Sequence, residues 1–230
     1  MNPKKIDQIG CIDIGSNAIK YKQFRIIADD NQNYSKELET YKRIPIRLGT
    51  DAFRKGKIRK KTINKLTESL DELVSNLDSK KINLIGGFAT SAMRSASNGS
   101  EVCQHLNAKL NLNIHLLSGD QEAQLLNDLS NSFPADGSYL FVDVGGGSTE
   151  LFYKNSSNVM FKSLNLGAVR IYLEKDHLSE WQDLEAFLAS LGHIKNIVGV
   201  GGNVRSLISI INDDINTVSY THLTLPTTYT

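Results

Sequence analysis

Two short segments of the chain repeat one pattern, in which a run of small and apolar residues leads to an aspartate, one apolar residue and a glycine. The first is residues 10–15, Gly-Cys-Ile-Asp-Ile-Gly, and the second is residues 140–145, Leu-Phe-Val-Asp-Val-Gly. Each pattern is typical of a buried strand that closes in a tight turn, and a second strand-like stretch follows each one. One copy in each half predicts two related domains that face each other.

Between and after these copies, strand-like and helix-like stretches alternate. Apolar residues at helical spacing predict helices over 59–77 and 119–131, and short apolar runs predict strands at 84–85 and 197–200. Pro134 ends the second of these helices, and a strand pattern restarts soon after it, so we expect a domain boundary there. This alternation predicts an α/β fold with mixed sheets.

Composition and missing motifs exclude several classes of protein. No apolar run approaches the roughly 20 residues of a membrane-spanning helix, and the polar residues 1–8 show no signal peptide. The formal net charge of +1 gives no global field that draws nucleic acid, and two cysteines make no disulfide framework. Zinc-ligand spacings, a P-loop and a Gly-x-Ser-x-Gly elbow are absent from the sequence. We therefore expect a cytoplasmic protein with no membrane or nucleic-acid partner.

The two repeated segments are the first candidates for a binding site. Their glycines allow backbone N–H groups to turn inward and hold phosphate oxygens, and an Asp at each strand end can hold a magnesium ion beside them. Two hairpins with Gly-rich turns capped by Asp would give the same pattern without a ligand. Because both copies carry the acid, we favour phosphate binding. The candidate residues are Asp13, Gly15, Ser16 and Asn17 in the first copy and Gly145, Gly146, Gly147, Ser148 and Thr149 in the second.

Glu122 is a candidate general base. Ser118 and Gln121 have the spacing of a capping box, so that Glu122 falls in the first turn of a helix. We expect it on the apolar face of that helix, together with Leu125, Leu126 and Leu129. Partial desolvation would strengthen the carboxylate as a base. An acid at the N-terminal end of a helix is, however, also favoured by the helix dipole without any catalytic role. The local sequence supports both roles equally.

Three further features carry two interpretations each. Arg94 follows a predicted strand and could bind phosphate in a bidentate manner or form a surface salt bridge. Glu150 follows the second Gly-rich turn and could ligate a metal or face solvent from an alternating strand. A basic stretch could be a solvated loop that leads into a helix or a surface that binds a polyanion. This basic stretch comprises Arg54, Lys55, Lys57, Arg59, Lys60 and Lys61.

These segments resemble the exopolyphosphatase and guanosine pentaphosphate phosphohydrolase family, within the actin, sugar kinase and heat-shock ATPase superfamily. The resemblance rests on blocks in family order, at residues 12–17, 89–94 with 98–99, 117–123, 142–151 and 198–205. It implies two actin-like (ribonuclease H-like) domains with mixed sheets and a cleft between them. The first domain would cover residues 1–134, and residues 135–217 would be the start of an incomplete second domain.

The resemblance also implies roles for individual residues. Glu122 matches the general base, Asp143 and Glu150 match acids tied to the metal, Asp13 matches the acid of the first phosphate loop, and Arg94 matches an arginine that contacts phosphate. The implied reaction is removal of the terminal phosphate of polyphosphate or guanosine pentaphosphate by in-line attack of water, with Mg²⁺ or another divalent cation. A homodimer is a possible assembly.

Two departures from the family pattern bear on these expectations. Gln121 stands where family members usually carry a second acid, a change that we expect to be tolerated. Residues 218–223 resemble a translated sequencing adaptor, so we expect the native reading frame to stop near Thr217 and residues 218–230 to be a non-native tail. Two alternative functions stay open, namely a regulator that binds guanosine tetraphosphate or pentaphosphate without turnover, and an ATPase or kinase of the same superfamily.

Overall fold

The structure is a computed structural model that describes residues 6–28 and 34–211. The tail expected to be non-native, residues 218–230, lies outside the described residues, as does the expected end of the second domain near Thr217. The chain divides into two compact units between Leu117 and Ser118. In the described ranges, no helix combines the length and the apolar character needed to cross a membrane.

The first unit is built on a mixed sheet. Its elements are β1 (Ile6–Ile14), β2 (Ile19–Ala28), β3 (Tyr34–Ile44), α1 (Leu48–Lys55), α2 (Lys60–Ser79), β4 (Asn83–Ala89), α3 (Ser91–Ser95), α4 (Gly99–Leu110) and β5 (Ile114–Leu116). The strand order is β3-β2-β1-β4-β5, with β1 antiparallel to β2 and parallel to β4. The predicted helical stripe is confirmed in α2, whose buried apolar residues are Leu66, Leu70, Leu73 and Leu77.

The second unit is built on a smaller mixed sheet. Its elements are α5 (Gly119–Ser130), β6 (Tyr139–Val144), β7 (Thr149–Lys154), β8 (Val159–Leu164), α6 (Ala168–Tyr172), α7 (Leu178–Ser190), β9 (Asn196–Val200) and α8 (Gly201–Ile211). The strand order is β8-β7-β6-β9, with β6 antiparallel to β7 and parallel to β9. The predicted α/β class with mixed sheets is confirmed.

The repeated sequence pattern corresponds to a repeated topology. In each unit a strand ends in Asp-x-Gly, turns into an antiparallel partner, and lies beside a parallel strand on its other edge. The triplet β2-β1-β4 of the first unit therefore has the same arrangement as β7-β6-β9 of the second. Each repeated turn lies at the carboxyl end of its first strand.

The division of the compact units differs from the boundary expected near residue 134. Helix α5 precedes that position, yet it packs against β7 and β8 of the second sheet. Its buried Leu126 and Leu129 join the core with Phe141 and Phe152. The domain limits stay a prediction, and the packing of α5 favours the earlier boundary.

The strand predicted at 84–85 extends through two glycines to Ala89. A Cβ atom at Gly87 would lie 2.6 Å from the carbonyl oxygen of Ile12 on β1, so the close approach of the two strands requires glycine there. The short apolar run in the sequence predicts a strand that ends before these two glycines. Strands β3 and β8 and the short helices α1, α3 and α6 were not predicted.

Replacing Gly87 with alanine tests the importance of this close approach. We expect Gly87→Ala to lower the free energy of unfolding by about 1–3 kcal/mol, because the new methyl group must displace the β1 backbone. Gly202→Ala is the matched control, since apart from the neighbouring backbone of its own helix no heavy atom of the described residues lies within 4 Å of the added Cβ. Denaturant titration followed by far-UV circular dichroism measures both. Equal stability of the two variants would contradict the packing argument.

Candidate active site

Three acidic side chains lie on one face of the second sheet. Asp143 and Glu150 are directly paired across β6 and β7. The pair Phe141 and Phe152 lies two residues away in the same ladder and therefore on the same face. Paired residues of antiparallel strands point to the same face, and that face is the one covered by α5. Glu122 lies one helical turn before the buried Leu126 of α5, so it belongs to the same face.

The start of α5 is fixed by the predicted capping box. The Ser118 side chain accepts from the Gln121 N–H at 3.1 Å, and the Ser118 N–H donates to the Gln121 side-chain oxygen at 2.8 Å. Gln121 therefore fills a structural role that needs only a side-chain carbonyl oxygen. The tolerance of glutamine at this position stays a prediction, which the capping contact supports.

Glu122 itself is partly buried. The inward face of α5 consists of Ala123, Leu126 and Leu129, whereas Leu125 is 51% exposed. The expectation that Leu125 shares the buried face is wrong, because α5 contacts the sheet along a narrower stripe than its apolar residues cover. Glu122 lies at the edge of this stripe, where a carboxylate is partly desolvated and still reachable by water.

Glu150 is the most strongly perturbed of these acids. It is only 5% exposed, so the alternative in which it faces solvent is wrong. Burial, followed by the negative charge of Glu122 and a smaller effect of Asp143, raises the pKa of Glu150 to about 8. Hydrogen bonds from the side chains of Ser148 and Ser163 oppose this rise in pKa. A pKa of about 8 favours the protonated form of this carboxyl at neutral pH.

The second Gly-rich turn is closed by a hydrogen bond from the Gly145 N–H to the Ser148 carbonyl at 2.9 Å. The Thr149 hydroxyl donates to the Leu166 carbonyl at 2.7 Å, and the Ser148 side chain bonds to Glu150. Both hydroxyls proposed as phosphate donors thus have partners inside the unit. The backbone N–H groups, including those of Gly146 and Gly147, are the better candidates for phosphate contacts in this turn.

Two positions of α8 adjoin the same strand end. The Asn203 side chain donates to the Val144 carbonyl at 2.6 Å. Gly201 has a φ of +89°, and a Cβ atom there would lie 2.4 Å from an Asp143 carboxylate oxygen. No local sequence pattern connects this helix start to Asp143, because their contact depends on the parallel pairing of β6 with β9.

The first Gly-rich turn has the same closure with a different charge. The Gly15 N–H donates to the Ala18 carbonyl at 3.1 Å, and the Gly49 N–H of α1 donates to the Ser16 carbonyl at 2.8 Å. Asp13 forms an ion pair with Lys20, its partner across the hairpin, at 2.9 Å. In the same turn, Ser16 is buried and Asn17 is exposed.

Arg94 lies in α3, next to the ends of β1 and β4. Its Nη1 donates to the Leu117 carbonyl at 2.8 Å, and the Thr90 N–H at the start of α3 donates to the Ile14 carbonyl at 3.2 Å. The guanidinium is thus tied to the backbone of its own unit. Its phosphate contact stays a prediction.

The basic stretch is divided by the structure. Arg59 donates to the buried Asp51 through Nε at 2.6 Å, and the Thr62 hydroxyl donates to the same carboxylate at 2.6 Å. Arg59 therefore has a structural role at the junction of α1 and α2. The other five cations of the stretch are exposed, and their binding role stays a prediction.

Comparison with known proteins decides the family. The model of the Ppx/GppA phosphatase family matches residues 26–203. The chain belongs to this family. Two relatives carry different activities in their names. Exopolyphosphatase 1 of Mycobacterium bovis is 28% identical over 73% of this chain and 48% of its own length. The guanosine-5'-triphosphate,3'-diphosphate pyrophosphatase of Aeromonas salmonicida is 24% identical over 87% of this chain and 43% of its own length.

The chain thus spans about half the length of these Ppx/GppA relatives. Solved structures of the family share its fold. The crystal structure of the Aquifex aeolicus member has a TM-score of 0.69 at 23% identity, and the matched region covers 93% of this chain and 72% of the Aquifex chain. An exopolyphosphatase from Cytophaga hutchinsonii has a TM-score of 0.73 at 20% identity, with coverages of 91% and 72%. The predicted family is confirmed.

The raised pKa of Glu150 predicts how the stability of this Ppx/GppA chain depends on pH. The folded state binds the proton with a pKa of about 8, against 4.5 as the ordinary value. The stabilisation that comes from this bound proton is complete below the pKa of Glu150 in the unfolded state. It is lost as pH rises through the pKa of the folded state, at about 1.4 kcal/mol per unit of difference between the two pKa values. Glu150→Gln keeps the shape and removes the titration. We expect the stability of the wild type relative to this variant to fall between pH 5 and pH 8.

Denaturant titrations at both pH values, with chelator present to keep metal out, measure this difference. Asp183→Asn, which removes an exposed carboxylate paired with Lys162, is the control and should show little pH dependence relative to the wild type. If the difference in free energy of unfolding between the wild type and Glu150→Gln stays constant from pH 5 to pH 8, Glu150 does not hold a proton in the folded state.

Proposed function

We propose that the protein containing this chain hydrolyses the terminal phosphoanhydride bond of polyphosphate, guanosine pentaphosphate or both, and releases orthophosphate. The observation that carries the proposal is the position of Glu122, Asp143 and Glu150 on one face of the second sheet, beside a glycine turn. The family and the names of the two relatives supply the substrate class. The cytoplasm is the proposed location.

Glu122 is the proposed general base. A carboxylate at the edge of the buried stripe of α5 can accept a proton from water while it stays accessible to it. The water oxygen forms a bond to the terminal phosphorus, the bond between that phosphorus and the bridging oxygen breaks, and the proton moves to Glu122. The remaining phosphate chain leaves with the bridging oxygen, so atoms and charge balance.

The glycine turns are the proposed phosphate-binding elements. N–H groups of the Gly145–Ser148 turn would hold oxygens of the transferred group, and the turn that contains Gly15, Ser16 and Asn17 would contribute in the first unit. Arg94 would add a cationic donor. Asp13 already has a cationic partner in Lys20, so its proposed role is to hold the turn in place.

The acids of the second unit suit a magnesium ion in their chemistry. Asp143 and Glu150 are adjacent oxygen donors, and the mutual repulsion of the acids favours a cation between them. Among the described residues, no group of three or more His, Cys, Asp and Glu side chains could hold a metal. Two carboxylates with water and substrate oxygens are, however, the usual ligands of Mg²⁺. When bound, the ion would neutralise charge on the phosphate oxygens.

Phosphate release with magnesium present tests the activity. The assay compares long-chain polyphosphate with guanosine pentaphosphate and uses the full-length protein encoded by the source gene. We expect Glu122→Gln to reduce turnover by roughly 10²–10⁴-fold with little effect on substrate binding, because it removes only the proton acceptor. Gln124→Glu, which alters an exposed residue of the same helix, is the control and should keep its activity.

Each outcome separates the candidate functions. Release from either substrate that is lost in Glu122→Gln would support the hydrolase and identify the better substrate. Tight binding without release would replace it with the regulator, and turnover of ATP alone would replace it with a kinase or ATPase. Full turnover in Glu122→Gln would remove Glu122 from the mechanism.

The proposed metal ligands give a separate prediction. Asp143→Asn keeps the size of the side chain but removes its charge, so we expect the magnesium concentration for half-maximal release to rise by about tenfold or more. Titration of magnesium into chelator-treated protein measures this value. Asp183→Asn, at an exposed carboxylate of the same unit, should leave it nearly unchanged. An unaltered magnesium requirement in Asp143→Asn would rule out this carboxylate as a ligand.

A further inference from the structure

Arg170 is a buried arginine that contacts the second glycine turn. Only 9% of its surface is exposed. Its Nε donates to the Gly147 carbonyl at 2.6 Å, and its Nη2 donates to the Asn165 side-chain oxygen at 3.3 Å. Glu180 accepts from both the backbone and the side-chain nitrogen of Asn165 at 2.8 Å, which orients the asparagine toward the guanidinium. Burying a charge is costly unless it is hydrogen-bonded, so these hydrogen bonds are needed to keep the guanidinium buried beside the turn.

The two residues before Arg170 contact the same turn. The Ala168 N–H donates to the Gly145 carbonyl at 3.0 Å, and the Val169 N–H donates to the Gly146 carbonyl at 2.7 Å. Together with the Nε contact of Arg170, three consecutive residues of α6 bind three consecutive carbonyl groups of the turn. All three carbonyls therefore point toward α6.

The direction of the carbonyls fixes the direction of the N–H groups. In a trans peptide unit the C=O and the N–H point to opposite sides. With the carbonyls of Gly145, Gly146 and Gly147 directed to α6, the N–H groups of Gly146, Gly147 and Ser148 are directed away from it. Successive N–H groups on one side of a turn form a concave set of donors that binds anions.

We propose that Arg170 is a positioning residue that holds the Gly147–Ser148 peptide with its N–H directed at a bound phosphate. The contacts of Ala168 and Val169 use backbone groups that almost any residue supplies. The third contact requires the guanidinium of Arg170. The inference rests on the proposed function in that it takes phosphate as the anion.

Binding of methylenediphosphonate, a pyrophosphate analogue that cannot be hydrolysed, tests the role of Arg170 in the full-length protein with magnesium. We expect Arg170→Met to raise its dissociation constant about tenfold, the effect of one misdirected donor to a charged group. Lys162→Met is the control, because it removes an exposed cation of the same unit that does not contact the turn. Calorimetry gives both constants.

Amide NMR supplies a readout that general loss of stability would not produce. In the wild type, the analogue should shift the amide signals of Gly146, Gly147 and Ser148. In Arg170→Met the shift of Ser148 should be lost while that of Gly146 is kept, since Ala168 still holds the Gly145 carbonyl. Methylguanidinium should restore the Ser148 shift in Arg170→Ala by occupying the space of the lost side chain.

A folded Arg170→Met protein with an unchanged dissociation constant and an unchanged Ser148 shift would overturn the positioning role. If this variant does not fold, Arg170→Lys decides the question. The lysine keeps the charge but not the planar fork, so normal binding and a normal Ser148 shift would overturn the proposal, and weakened binding would support it. Arg170-dependent binding without phosphate release would overturn the hydrolase alone, whereas a wild type that binds no analogue would overturn both.

Discussion

The burial of the Glu150 carboxyl is the constraint on which the polar part of the second unit depends. An ionised carboxylate with 5% exposure needs compensation, and Ser148 and Ser163 supply hydrogen bonds but no positive charge. The neighbouring acids increase the cost of ionisation. Protonation of Glu150 is one way to remove this cost, and a cation bound beside the carboxylate would be another. A pair of acids beside N–H donors would suit a magnesium ion that arrives together with phosphate.

Local chemistry made part of this arrangement predictable from the sequence. The capping box at Ser118 fixes the start of α5, and the leucine spacing of α2 fixes a buried face. The repeated Asp-x-Gly pattern identified both turns, because a short strand, an acid and a glycine have few other ways to fold. Such features depend on residues within one or two turns of a helix, or within one hairpin.

Features that depend on distant residues were not predictable. The alternating pattern of β7 leaves the direction of Glu150 open, because both faces of this inner strand are covered and five of its six residues are buried. Burial is decided by α5 on one face and by the cluster that includes Leu140 and Leu151 on the other. The contact of Arg170 with Gly147 joins residues 23 positions apart, and no local pattern indicates it. The role of Gly87 likewise depends on the path of β1.

The two turns share a topology but differ in charge. Each is closed by the same hydrogen bond, and in each a helix start donates to a turn carbonyl, from Gly49 in the first unit and Ala168 in the second. The residue paired with the aspartate across the hairpin is Lys20 in the first unit and Glu150 in the second. A lysine neutralises its aspartate, whereas a glutamate leaves a negative charge that a divalent cation could balance. One exchange of charge at an equivalent position is therefore the reason that the proposed metal site lies in the second unit.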